Sequence, residues 1–160
     1  MNKKKEDIIY EQEKKKILYM NNKKEYIKKL KENGWYIQFI RRPSEKLMLL
    51  AIDESPDSIQ FISFPTEKVK IKAVQKKGDC IRYITCPSEE IQLLAVKKDL
   101  SSIQYINKPT KKVQIYCVSK SGTLIRFIKN PSSEVENAAM KKTSASRFYI
   151  KRKSKKKIDR

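Results

Sequence analysis

Apolar residues recur along this chain in a frame of 22, punctuated by prolines at 43, 65, 87, 109 and 131. Upstream of each proline stands a tetrad Ile-(Gln/Arg)-(Phe/Tyr)-Ile, beginning at Ile37, Ile59, Ile81, Ile103 and Ile125. Each proline is followed by Ser44, Thr66, Ser88, Thr110 or Ser132, whose hydroxyl can accept from an unpaired amide in the first turn of a helix. Then come an aliphatic (Leu47, Val69, Ile91, Val113, Val135) and, four residues on, a small residue (Ala51, Ala73, Ala95, Cys117, Ala139). An apolar position follows at once (Ile52, Val74, Val96, Val118, Met140). Positions such as Leu47, Ala51 and Ile52 share one face of an α-helix. The spacing predicts α-helices over about 44–54, 66–76, 88–98, 110–120 and 132–142. Glu45, Glu67 and Glu89 suit the positive end of these helices.

Short second helices are expected over the tetrads. Gly34, Gly78 and Gly122 share one phase with Pro56, and glycine there reads as a left-handed end to the preceding helix. Asp57, Asp79, Ser101 and Thr123 follow as candidate N-caps, and proline stops the short helix. A strand competes for the tetrad, because Ile, Phe and Tyr favour sheets. Helical spacing fits better, since it brings Ile59 and Ile62 together and leaves Gln60 outside. Leucine-rich repeats have a similar period but require a leucine frame that this chain lacks. The expected fold is therefore all-α: short helix pairs stacked at right angles into an α-solenoid. Degenerate copies cap its ends, with Ile17 to Met20 imitating the tetrad and Tyr149-Ile150 in phase with Phe127-Ile128. The organisation reads as a charged leading helix over 1–16, a helical array over 17–150 (full copies about 37–146) and a basic tail over 151–160.

The unit Ile-x-Tyr-Ile-x-x-Pro-Thr-x-x-Val-Gln-x-x-Ala-Val is well displayed from Ile103 to Val118, with Cys117 in place of alanine. It resembles tandem helical repeats of about 22 residues and unknown function found in phage, giant-virus and protist proteins. The resemblance covers about residues 37–140. It implies stacked helical pairs and no known catalytic residues.

Charge changes the picture next. Lys+Arg number 38 against 18 Asp+Glu, a formal net charge of +20 with no histidine. Such a field attracts polyanions and opposes self-association, so a monomer is expected. Lysine bias in an AT-rich source genome is the bland alternative. Residues 141–160 concentrate 10 basic residues against one acidic. No apolar run is long enough for a membrane span, and the first residues lack a signal-peptide core. Three cysteines, Cys80, Cys86 and Cys117, cannot all pair within the chain, which fits a reducing, cytoplasmic location.

Candidate chemistry is sparse. Without histidine there is no imidazole acid–base catalysis, and the cysteines lack zinc-site spacing. The glycines are each used by the frame, leaving no phosphate loop. No enzyme activity, cofactor or metal is expected. Phe39, Phe61, Tyr83, Tyr105 and Phe127 recur once per copy and read as core between layers, with base stacking as the rival. Gln38, Gln60, Arg82, Gln104 and Arg126 precede them and would form a polar ladder, either a solvated face or a base-reading one. Arg41, Arg42, Lys108 and Lys129 lie in the pre-proline loops. The basic end adds Lys141, Lys142, Arg147, Lys151, Arg152, Lys153, Lys155, Lys156, Lys157 and Arg160, with Phe148 and Tyr149 beside Arg147 as in single-strand binders. The expected partner is nucleic acid, RNA before DNA, or a ribonucleoprotein. The alternative is a protein–protein adaptor on the solenoid face, one version being a phage-encoded inhibitor of an RNA-guided defence enzyme.

Overall fold

The computed structural model describes residues 22–150 and position 12, and every regular element among them is helical. The leading segment 1–16 (position 12 excepted) and the tail 151–160 lie outside the described residues. Residues 22–32 form α1. Five α-helices follow: α2 (Glu45–Glu54), α3 (Glu67–Lys76), α4 (Glu89–Lys98), α5 (Lys111–Lys120) and α6 (Ser133–Lys142). Five 3-10 helices alternate with them: η1 (Gly34–Phe39), η2 (Pro56–Phe61), η3 (Gly78–Tyr83), η4 (Leu100–Tyr105) and η5 (Gly122–Phe127). Residues 146–150 are helical and are called α7.

The α-helices start one residue after the Ser or Thr that follows proline. Thr66, Ser88 and Thr110 accept from the amides of Val69, Ile91 and Val113 at 3.4, 3.4 and 3.5 Å. Ser44 and Ser132 occupy the same cap position without that side-chain bond. The short elements differ from expectation in two ways. They are 3-10 rather than α, and they begin before the tetrad and end at its aromatic. A tight helix of i to i+3 bonds suits so short a run. The fourth tetrad residue is already extended, as in Ile40 and Ile84, while its amide still donates to Ile37 or Ile81. The two isoleucines of each tetrad thus fall three apart on one side of a 3-10 turn, and both are buried.

The N-caps are also displaced. Asn33 caps η1 by accepting from the Trp35 amide at 3.0 Å, and Asp99 caps η4 by accepting from Ser101 at 2.8 Å. Asp57, Asp79, Ser101 and Thr123 lie inside the 3-10 helices instead. None of the glycines has positive φ, so the left-handed reading is wrong. Gly78 is needed for close approach: a Cβ there would lie 2.8 Å from the Ala95 carbonyl and 2.8 Å from Ser102 Oγ. Left-handed backbone occurs instead at Arg42, Cys86 and Asn130 (φ 55, 50 and 51), each just before a proline and 44 residues apart.

Two compact units divide the chain, Met1–Pro65 and Thr66–Arg160. In the first, α2 packs on η1 and η2, which pack on one another. Their shared core is Ile37, Leu47, Ala51, Ile52 and Ile59. In the second, α3 to α6 each touch the next α-helix, and η3 to η5 each touch the next 3-10 helix. Val69, Ala73, Val74, Ile91, Ala95, Val96, Val113, Cys117 and Val118 have no exposed surface. Each fully buried Val or Ile stabilises by about 1.5–3 kcal/mol relative to exposure. The small position (Ala51, Ala73, Ala95, Cys117, Ala139) is fully buried in every copy.

Candidate nucleic-acid interface

The second unit presents a groove along its pre-proline loops. One depression, about 550 Å³, is lined by the η3 and η4 ends and their loops, including Arg82, Tyr83, Cys86, Tyr105, Asn107 and Lys108. A second, about 580 Å³, is lined by Asn107, Lys108, Pro109, Gln114, Lys129 and Asn130. Asn107 and Lys108 line both. No carboxylate lines either depression, although the chain carries 18 acidic residues. Among the acidic groups described on this unit, Asp79 pairs with Arg82 of the lining itself, and others pair away from it. Glu67 pairs with Lys70, Glu89 with Lys112 and Glu134 with Lys111.

Local sequence builds this edge. Extended backbone after each 3-10 helix carries the chain outward, and the proline then turns it into the next α-helix. Gln92 holds two loops in register. Its amide nitrogen donates to the Pro87 carbonyl at 3.0 Å, and its oxygen accepts from the Thr110 amide at 3.0 Å. Gln114 donates likewise to the Pro109 carbonyl at 2.8 Å. These glutamines carried no functional reading in the sequence, because a helix-interior Gln is normally a solvated one.

The aromatics are where expectation and structure differ most. Tyr83, Tyr105, Phe61 and Phe127 are half-buried, and Phe39 is exposed, so the column edges the core rather than filling it. The reason is geometric: at 3.0 residues per turn, the aromatic sits about 120° from the two isoleucines.

Arg82 lies in this edge with its guanidinium 3.8 Å from the Tyr105 ring centre, while Nε and one NH2 donate to the Asp79 carbonyl and carboxylate. Two of its five donors are thereby used, leaving the others for an anion. Arg126 lies 4.5 Å from the centre of the Phe127 ring. Gln104 is exposed on η4. In the first unit Gln38 and Gln60 are exposed, Gln60 donating to the Asp57 carbonyl at 3.1 Å, and Arg41 and Arg42 are exposed in the loop after η1. Lys141 and Lys142 are exposed in the last turn of α6, and Arg147 is exposed on α7. Lys151, Arg152, Lys153, Lys155, Lys156, Lys157 and Arg160 are outside the described residues.

Of the cysteines, Cys86 is exposed in the groove while Cys80 and Cys117 are buried. Burial pushes the Cys117 thiol up to about 12. Among the described residues, no group of three or more His, Cys, Asp or Glu side chains could hold a metal ion. No helix among them is long and apolar enough to cross a membrane. Comparison with known protein families, with curated proteins and with solved structures finds no match for this chain.

Proposed function

We propose that this chain is a non-catalytic α-solenoid that binds nucleic acid, RNA ahead of DNA, alone or within a ribonucleoprotein, in a reducing intracellular compartment. The observation that carries this reading is the pair of depressions lined by no carboxylate, with Arg82 and Lys108 beside Tyr83 and Tyr105 in one and Lys108 and Lys129 in the other. Lysines and arginines that neutralise phosphates release counterions, and this supplies sequence-independent affinity. The α-on-α and η-on-η packing of the second unit supports the solenoid reading, as does the resemblance to 22-residue helical repeats. The basic residues at 141–160 would add phosphate contacts, and Gln104 and Arg126, exposed on η4 and η5, would meet bases.

Charge reversal tests the groove. Lys108→Glu with Lys129→Glu should weaken binding of a labelled single-stranded RNA by at least tenfold at low salt. Lys97→Glu, on the exposed end of α4, should leave most of the affinity. Equal effects of the two would remove the groove from the account. A protein-adaptor reading rests on a different feature, a depression of about 390 Å³ where Leu93 and Leu94 lie among Glu89, Glu90, Lys97 and Lys112. Mixed charge around apolar side chains suits a protein partner better than a phosphate chain. Pull-down with and without RNase separates the two readings.

A further inference from the structure

We propose that the first unit carries a stacking platform for unpaired bases, so that the nucleic acid taken by this chain is single-stranded. This rests on the nucleic-acid reading above and adds its substrate class. Large exposed hydrophobic residues are few among the described residues, and three of the four lie in this unit. Trp35 is 42% exposed, Phe39 69% and Phe64 89%. The Trp35 ring leans on Phe61 with centres 5.4 Å apart. Phe39 leans on Tyr36 at 5.5 Å, and Tyr36 in turn on Tyr26 at 6.5 Å. Phe64 stands in the loop after η2, at the loop position that Arg42 holds one copy earlier.

Cations accompany the rings. Lys29 Nζ lies 6.0 Å from the centre of the Tyr36 ring. Arg41 and Arg42 follow Phe39 within three residues, both exposed. Arg42 is held in the left-handed region, an unfavourable backbone for a residue with a Cβ. Trp35 and Phe39 each rest against another ring yet stay exposed, Phe64 is exposed in its loop, and Arg41 and Arg42 follow Phe39 in sequence, the combination that stacks bases while tracking a phosphate chain. A second copy of this protein is a poor occupant, since each copy carries +20. A duplex is also a poor one, because its base faces are already stacked.

Trp35 is the sole tryptophan, so its emission reports on this platform alone. The full chain is titrated with a fluorescein-labelled dodecamer of uridine and with an RNA duplex of equal length, at low salt. Anisotropy reads binding, and tryptophan emission reads contact. The expected result is quenching of Trp35 by the single strand and not by the duplex at equal occupancy. Phe39→Ala and Phe64→Ala should each weaken the single strand about fivefold or more, with duplex binding unchanged. Phe64 is almost fully exposed, so its loss leaves packing intact. If the single strand binds with unchanged emission and both variants bind as the parent does, the platform is overturned while nucleic-acid binding stands. If neither RNA binds, both readings fall. A dimer in sedimentation that Phe64→Ala dissolves would overturn the platform in favour of a self-contact.

Discussion

Replacing Gly78 by alanine should destabilise the second unit, although glycine-to-alanine in a helix usually does the opposite. Gly78 has negative φ, so alanine can adopt its backbone, and the loss of unfolded-state freedom alone would favour the variant by about 0.4–1 kcal/mol. Against this stands a new Cβ 2.8 Å from the Ala95 carbonyl oxygen, 2.8 Å from Ser102 Oγ and 3.3 Å from the Asp99 amide. Real Cβ atoms do not come so close to backbone, and the carbonyl cannot swing away cheaply. It accepts the Asp99 amide at 2.8 Å in closing α4. Ser102 is fixed as well, its hydroxyl donating to Asp79 at 3.1 Å. Overpacking of this kind costs about 1–3 kcal/mol, so the net loss should be about 1–2 kcal/mol. With a urea m-value of about 1–3 kcal/mol/M, the midpoint should fall by about 0.3–2 M. The 3-10 turn itself does not demand glycine, because Leu100 begins η4 with a side chain that finds room. A Gly78→Ala midpoint equal to or above the parent's would refute the close-packing explanation.

Other consequences can be checked on the same material. Ala95→Leu adds volume where no surface is exposed and should cost about 1–3 kcal/mol in urea unfolding; unchanged stability would show a gap at that contact. A thiol reagent should modify Cys86 in the native chain while Cys80 and Cys117 react only on unfolding, and three fast thiols would contradict the burial pattern. The Cys117 thiol is raised from 9.0 to about 12, so folding favours its protonated form. That stability is intact below pH 9.0 and is lost as pH rises towards about 12. Urea midpoints at about pH 8 and pH 10.5 should therefore fall further for the parent than for Cys117→Ala, and parallel falls would contradict the assignment.

How much of this was legible in the sequence depends on which force set each feature. Ser/Thr after proline and the Leu47-Ala51-Ile52 spacing placed all five α-helices to within a residue or two, because capping and burial are local and periodic. The 3-10 character was missed because Ile37 and Ile40 satisfy an α or a 3-10 period equally well over so short a run. Gly78 was misread because its requirement comes from Ala95 and Ser102, residues remote in sequence, not from its own φ. The positive φ went instead to Arg42, Cys86 and Asn130, of which only asparagine favours that region. In the site, the exposed cations were readable from their polar phase. The half-exposure of Tyr83 and Tyr105 was not, since aromatic residues in phase with isoleucines look like core. The helical state of Arg147 and the burial of Ser146, whose hydroxyl donates to the Ala139 carbonyl at 3.0 Å, extend ordered structure beyond Lys142.

The central claim is most directly tested by the salt dependence of affinity for a labelled single-stranded RNA. Because Ser146 is buried, the comparison variant keeps residues 1–150 and replaces the basic residues from Lys151 to Arg160 by glutamine. Each phosphate neutralised on a single strand contributes about −0.7 to the slope of log K against log salt. If the tail makes on the order of five such contacts, the variant's slope should be flatter by about 3.5. The account predicts salt-sensitive binding by the full chain, a flatter slope in the variant, and residual binding that Lys108→Glu with Lys129→Glu weakens further. Affinity that is absent, or indifferent to salt in the full chain, would contradict it.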